Sequence, residues 1–282
     1  MALTSDNSAR PYSAPADAPI GIFDSGVGGL SVLRHIQQHL PQEALLYVAD
    51  AGYAPYGGRT DCFLDARVLA IGDYLVQRPV KAIVVACNSA TAASIAALRH
   101  AYPDLPVVGV EPGLKPAAAA STNRIVGVMA TEATLRSARF ALLREAISQT
   151  SGVRFVMQAC IGLADQIEAG ALDTVETLAL LEQYVTALLD QGVDTLVLGC
   201  THYPFVQAHI ERIVASRGGA VTVIDTGAAV ARQLGRVLAE QRLLRNGAPV
   251  RVTAVTTGSA PSLQQAFQLL LHQSIDVTPL DG

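Results

Sequence analysis

Two cysteines in this chain are placed to share one reaction. Cys87 follows Ile83-Val84-Val85-Ala86 and Cys200 follows Leu196-Val197-Leu198-Gly199, and each leads into hydroxyl or amide side chains, Asn88-Ser89-Ala90-Thr91 and Thr201-His202-Tyr203-Pro204. Such an aliphatic run reads as a buried parallel strand, with the polar residues opening a helix. Open α/β sheets bind ligands at the carboxyl ends of their strands, where the free N–H groups of the next helix also point. A thiol in that field is expected to favour its ionised, reactive form. Two thiols facing across a cleft can take a proton from one face of a bound carbon and return one to the other, which inverts a stereocentre. Either cysteine alone is more readily read as a small buried hydrophobe. Their repetition at equivalent positions favours chemistry.

Other candidates cluster at the same strand ends. Asp24 closes Ile20-Gly21-Ile22-Phe23 and enters the turn Ser25-Gly26-Val27-Gly28-Gly29, where its carboxylate either caps a helix or faces Cys87 and a substrate ammonium. The Gly-x-Gly-Gly run is weak evidence for dinucleotide binding, because the third spaced glycine is missing and only Asp50 ends the second strand. His202 can polarise the nearby Cys200 thiol. Ser25, Asn88, Ser89, Thr91 and Thr201 supply neutral donors that, with backbone N–H groups, hold carboxylates without a dedicated arginine. Arg59 is the cation nearest these loops and reads as a solvated or structural charge.

The elements that position these groups follow from periodicity. Strands are expected at Ile20–Phe23, Leu45–Ala49, Ile83–Val85, Val107–Val110, Ile125–Thr131, Arg154–Gln158, Leu196–Gly199, Val221–Ile224 and Val250–Val255. Helices are expected from Leu30 to Leu40, after an N-cap at Thr60, from Asn88 to about His100, over Val175–Leu189, after Pro204, and over Ser262–Leu271. Asp50–Arg59 and Cys160–Gly170 read as loops, and Glu111–Pro116 as a crossover. Ile125–Thr131 repeats the pattern of Pro19–Ser25, so the two halves look like diverged copies of one α/β unit. The fold class expected is α/β: two similar, pseudo-symmetric domains with mostly parallel sheets flanked by helices and an active site between them. The expected division is a disordered tail at 1–18, a first domain of 19–110 plus 224–282, and a second of 111–223.

Composition narrows the partners. Among 282 residues, half are hydrophobic and 16% charged, with 20 basic residues scattered among 24 acidic ones for a net charge of −4. That gives ample core and no basic stripe, so nucleic acid is not an expected partner. No apolar run reaches the length of about 18 residues that suggests a membrane span. The tail lacks an apolar segment and does not read as a secretion signal, so reduced thiols in the cytoplasm are the default. The cysteines at 62, 87, 160 and 200 form no Cys-x-x-Cys pair, and no metal site is expected.

Asp-Ser-Gly-Val-Gly-Gly at 24–29, Pro-Tyr-Gly at 55–57, Ala-Cys-Asn-Ser at 86–89 and Gly-Cys-Thr-His-Tyr-Pro at 199–204 together closely resemble the signatures of the glutamate racemase family, in order and spacing, across nearly the whole chain beyond the tail. The resemblance implies cofactor-independent interconversion of L- and D-glutamate, with D-glutamate supplied to peptidoglycan. It implies that Cys87 and Cys200 are the two proton donors or acceptors, assisted by Asp24 and His202. Substrate contacts carry over to Asp24 with Ser25, Tyr56 with Gly57, Asn88 with Ser89, and Thr201 with His202. Ser89 stands where many members have threonine and keeps the hydroxyl. The segment before Glu168 lacks the family's proline-rich pattern, so Glu168 matches the position of an assisting glutamate by place alone. No lysine lies in these loops, Lys81 preceding a strand and Lys115 lying in the crossover, so a pyridoxal Schiff base has no anchor. A homodimer is carried as the oligomeric expectation. The thiol pair by itself also suits a racemase of aspartate or a related amino acid, and strand-end cysteines with glycine turns also suit a non-catalytic small-molecule binding protein.

Overall fold

A computed structural model of the chain describes residues 14–218, 220–248 and 251–280. Its strands are β1 (Ile20–Asp24), β2 (Leu45–Ala49), β3 (Ala82–Val85), β4 (Val107–Gly109), β5 (Ile125–Ala130), β6 (Arg154–Ala159), β7 (Thr195–Gly199), β8 (Thr222–Ile224), β9 (Val252–Thr256) and β10 (Val277–Pro279). Its helices are α1 (Leu30–His39), α2 (Asp61–Val76), α3 (Asn88–Ala101), α4 (Leu114–Ala120), α5 (Glu132–Arg136), α6 (Ala138–Ser151), α7 (Leu163–Glu168), α8 (Val175–Leu189), α9 (Gln207–Ser216), α10 (Gly227–Glu240) and α11 (Ala260–Leu271).

The strands form two sheets, ordered β10-β9-β2-β1-β3-β4 and β6-β5-β7-β8. Every pairing among the described residues is parallel. Parallel sheets need cover on both faces, and the buried strands supply it by alternation. Ile20 and Ile22 pack with α1, α10 and α11, whereas Phe23 packs with α2 and α3. In the smaller sheet one face buries Met129, Leu196 and Leu198 against α7, α8 and α9, and the other buries Val126, Val128 and Val197 against α4 and α6. Removing β9 and β10 leaves the order β2-β1-β3-β4, which matches β6-β5-β7-β8 strand for strand. The expected repeat therefore appears as topology, with β1 equivalent to β5 and β3 to β7.

Local signals placed most boundaries. Thr60 accepts the Phe63 N–H and caps α2 as expected, and Thr131, Ser137, Thr174 and Ser259 cap α5, α6, α8 and α11 in the same way. Four expectations need correction. Residues 160–170 are not an irregular loop, since α7 occupies Leu163–Glu168 behind a left-handed Gly162. The crossover at 111–116 already enters α4 at Leu114. Pro204 opens a single 3-10 turn, Tyr203–Val206, and α9 begins only at Gln207. The last expected strand starts at Val252, its expected first residue Val250 lying outside the described residues. The tail expectation for residues 1–13 also lies outside them. Residues 14–18 do not behave as a tail: Ala18 is buried, and the Ala16 carbonyl accepts the buried Lys81 ammonium at 2.5 Å. Among the described residues no helix is long and apolar enough to cross a membrane.

Candidate active site

Cys87 and Cys200 line one cavity of about 560 Å³, each just past the carboxyl end of its strand, β3 and β7. Because those strands are equivalent in the two sheets, the repeat delivers one thiol from each half to a common space.

The two thiols have different surroundings. Cys87 is the N-cap residue of α3, and its Sγ lies 3.8 Å from Ser25 Oγ. Burial pushes this thiol up, neighbouring Asp24 adds to the effect, and the Ala90 N–H opposes it without prevailing. The helix-end field expected to favour a thiolate is thus outweighed at Cys87 by loss of solvent. Cys200 Sγ lies 3.5 Å from His202 Nδ1, and His202 Nε2 lies 2.7 Å from Glu168 Oε2. The same carboxylate oxygen accepts the Val27 N–H at 2.9 Å. Burial disfavours an imidazolium, but Cys200 and Glu168 together overcome it and hold His202 well above the ordinary histidine range. Glu168 shows the complement: burial works to raise it, and the His202 bond and charge with the Val27 N–H bring it below the usual carboxylate range. The result is an imidazolium–carboxylate pair that places positive charge beside the Cys200 sulfur.

The glycine turn after β1 is shaped by this pair. A Cβ at Gly26 would overlap the Glu168 carboxylate, and one at Gly28 would overlap the His202 ring and stand 2.8 Å from Thr201 Oγ1. Ser31 Oγ donates to the Thr201 carbonyl at 2.8 Å across the same contact. The turn is a seat for side chains of the other half, which accounts for glycines that a dinucleotide fingerprint does not.

Further wall residues include Ser25, Tyr56–Gly58, Asn88, Ser89, Thr131 and Thr201. Asn88 is buried on the cavity wall, and neither of its side-chain polar atoms has a hydrogen-bond partner among the described residues. Buried polar atoms are normally paired, so this orphaned amide marks where a polar ligand would sit. Glu132 and Asp165 lie at the cavity's exposed edge, and among the described residues no lysine or arginine lines it.

Two of the expected contacts lie away from the cavity wall. Thr91 is not on the cavity wall, since its hydroxyl donates to the Val85 carbonyl and accepts the Val110 N–H, each at 3.2 Å, fastening α3 to the sheet. Asp24 is fully buried and off the wall, its Oδ2 accepting the Gly26 N–H at 3.0 Å. Arg59 is exposed and stacks 5.0 Å over the Phe63 ring, a structural position. Sequence reasoning missed Thr131 and Cys160, which both line the cavity. Thr131 Oγ1 lies 2.9 Å from Ser89 Oγ, and the repeat pointed to it, because Thr131 occupies the place of Ser25. Cys160 follows β6 as Asp50 follows β2, and burial pushes its thiol up.

A family model described as Asp/Glu/Hydantoin racemase matches residues 21–234. The chain belongs to the Asp/Glu/hydantoin racemase family. The matched span holds every group of the cavity named above, including both strand-end cysteines. Within the family, a glutamate racemase from Ectopseudomonas mendocina is 48% identical over 262 residues, covering 93% of this chain and 98% of that one. Among solved structures, a glutamate racemase isoform from Bacillus anthracis superposes with a TM-score of 0.85 at 33% identity, covering 94% of this chain and 97% of that one. Escherichia coli glutamate racemase in complex with L-glutamate and the activator UDP-MurNAc-Ala gives 0.79 at 31% identity, covering 93% and 97%.

Proposed function

We propose that this chain is a glutamate racemase that exchanges the α-proton of glutamate between two thiols, supplying D-glutamate for peptidoglycan. The observation that carries the reading is the joint placement of Cys87 and Cys200 on one cavity from equivalent strands. One sulfur, as thiolate, takes the proton from Cα, and the electron pair is held by the adjacent carboxylate group. The other sulfur, as thiol, protonates the opposite face, so the two exchange states with each turnover. Cys87, kept protonated by burial beside Asp24, starts as the acid. His202, held as a cation by Glu168, supports negative charge on Cys200 as the base. Return of D-glutamate to L-glutamate runs the same steps backwards.

In this reading Ser25, Asn88, Ser89, Thr201 and the Tyr56–Gly57 backbone hold the substrate's carboxylates. The Asn88 orphans and the hydroxyl-rich wall support that assignment. The domain division is read as 19–110 plus 224–282 and 111–223, one sheet in each, although Ile224 itself pairs with Val197 of the smaller sheet. The reading also places the protein in the cytoplasm and makes it a homodimer. Exposed Leu142 and Val175 are apolar side chains a second copy would cover, and sedimentation equilibrium reads the state. The decisive experiment follows L-glutamate by circular dichroism in deuterated water. Loss of rotation with deuterium at Cα is expected for the native protein, and Cys200→Ala is expected to abolish both at an unchanged melting temperature. Wild-type turnover by Cys200→Ala refutes the proposal.

A further inference from the structure

Asp50 is fully buried at the end of β2 and accepts four donors from three separate segments. Arg67 of α2 gives it two bonds, Nη2 to Oδ1 at 2.8 Å and Nε to Oδ2 at 2.9 Å. Thr257, after β9, donates to Oδ1 at 2.9 Å, and the Tyr56 hydroxyl closes on Oδ2. Thr257 Oγ1 in turn accepts the Gly52 N–H at 3.1 Å, and the Arg67 guanidinium lies 3.4 Å over the Tyr53 ring. The Tyr56 bond, the Gly52 bond and the Tyr53 stack tie this cluster to the stretch 51–58, which connects β2 to the turn before α2.

That stretch borders the cavity through Ala54, Pro55, Tyr56, Gly57 and Gly58. Its tip is a turn in which the Arg59 N–H returns to the Tyr56 carbonyl, and the Gly57 carbonyl accepts the Ala133 N–H of the other half. The N–H groups of Tyr56, Gly57 and Gly58 have no acceptor among the described residues. Successive free amides in a turn form a concavity suited to an anionic oxygen. With no lysine or arginine of the described residues on the wall, amides of this kind are what the cavity offers a carboxylate there.

We propose that Asp50, with Arg67 as its counter-ion, is a positioning residue that fixes the Tyr56–Gly58 amides as a cradle for a substrate carboxylate. The proposal rests on the racemase reading of the same cavity. Asp50 touches neither substrate nor sulfur; it acts through the Tyr56 hydroxyl and through Thr257. Tyr56 is a fixed donor in this arrangement, since burial and then the Asp50 charge push its phenol far above the ordinary range. The pair is specific in shape as well as charge, because the guanidinium fork meets both carboxylate oxygens. An amide in place of the carboxylate would set N–H against N–H or O–H at one of the two positions.

The test uses the full-length protein with Asp50→Asn, Tyr56→Phe and the double variant. Racemisation is followed over a range of glutamate concentrations, D-glutamate binding by calorimetry, and folding by thermal midpoint. Each single variant is expected to raise KM and the D-glutamate Kd about tenfold while kcat stays within about threefold, as loss of preformed carboxylate contacts requires. The double variant is expected to match Asp50→Asn within about twofold, because both remove the same link. A lower midpoint and reduced kcat at unchanged KM and Kd would show a purely structural role and overturn the proposal, as would wild-type constants throughout. Should Asp50→Asn fail to fold, Tyr56→Phe decides alone, keeping the ring and losing only the bond to Asp50. A native protein that binds D-glutamate without racemising it refutes the function reading, and the Kd ratios still decide this one. Absence of binding by the native protein overturns both.

Discussion

Replacing Glu168 by glutamine tests the electrostatic arrangement around Cys200 most directly. The side chain keeps its shape, and its carbonyl can still accept from His202 Nε2 or from the Val27 N–H, at present 2.7 and 2.9 Å away. What disappears is the negative charge. Hydrogen bonds to charged groups contribute about 1.5–3 kcal/mol and neutral ones about 0.5–1.5 kcal/mol, so the substitution weakens the hold on the imidazolium by about 1–2 kcal/mol. Glu168 retains about a quarter of its side-chain exposure at 27%, and solvent screening argues for the lower half of that range. At about 1.36 kcal/mol per tenfold, kcat should fall about 5- to 13-fold in both directions, since each passes through Cys200. The sign of the pH effect is set independently. Glu168 helps to raise His202, so its removal lets His202 lose its proton at lower pH, and the alkaline limb of the rate profile should move to lower pH. The assay is initial racemisation rate by circular dichroism across pH, in each direction. A variant with native rates and an unmoved alkaline limb would refute the ion-pair account.

Three further outcomes are expected. Glu168 has its folded-state value depressed below 4.5, so the stability it contributes is present above the unfolded value and fades as pH falls through the folded one; the midpoint gap between native protein and Glu168→Gln should close below pH 4.5 in thermal melts. Asn88→Ala removes no internal hydrogen bond, and should leave stability within about 0.5 kcal/mol while weakening D-glutamate binding about tenfold by calorimetry, whereas a large loss of stability with native binding would contradict the orphan argument. Gly28→Ala pushes a methyl group into His202 and Thr201, and should cost about 1–3 kcal/mol in denaturant unfolding together with a fall in kcat; native values of both would show that the two halves do not meet as described.

The sequence alone determined much of this protein, because the signals involved are local. Four-residue aliphatic or small-residue runs, a cysteine and a helix-opening amide or hydroxyl are contiguous at 83–91 and 196–204, so both thiols and their strand ends were legible without any knowledge of packing. The repeat of Pro19–Ser25 at Ile125–Thr131 likewise predicted equivalent strands, and the matched sheet orders follow from it. The α7 helix was not legible, being six residues long behind a left-handed glycine, with too few turns to show a periodicity. Helix α6 escaped for a related reason: only Phe140 is fully buried, Leu143 and Ile147 are half-buried beside it and Leu142 is exposed, so its apolar stripe is narrow and blurred.

What tertiary structure decided is which groups meet and how strongly water is excluded from them. Glu168 and His202 belong to different elements, and nothing in either segment announces a 2.7 Å contact. The glycines at 26 and 28 resembled a weak phosphate turn locally and became a seat for that pair only when the halves came together. Thr91 carried the right chemistry in the right helix, yet helical geometry turned it toward Val85 and Val110. At Cys87 the sequence supplied a helix end that favours a thiolate, and burial reversed the balance. Spacing along a chain specifies elements, whereas desolvation and contacts across distant segments are sums over neighbours that only the folded arrangement brings within reach.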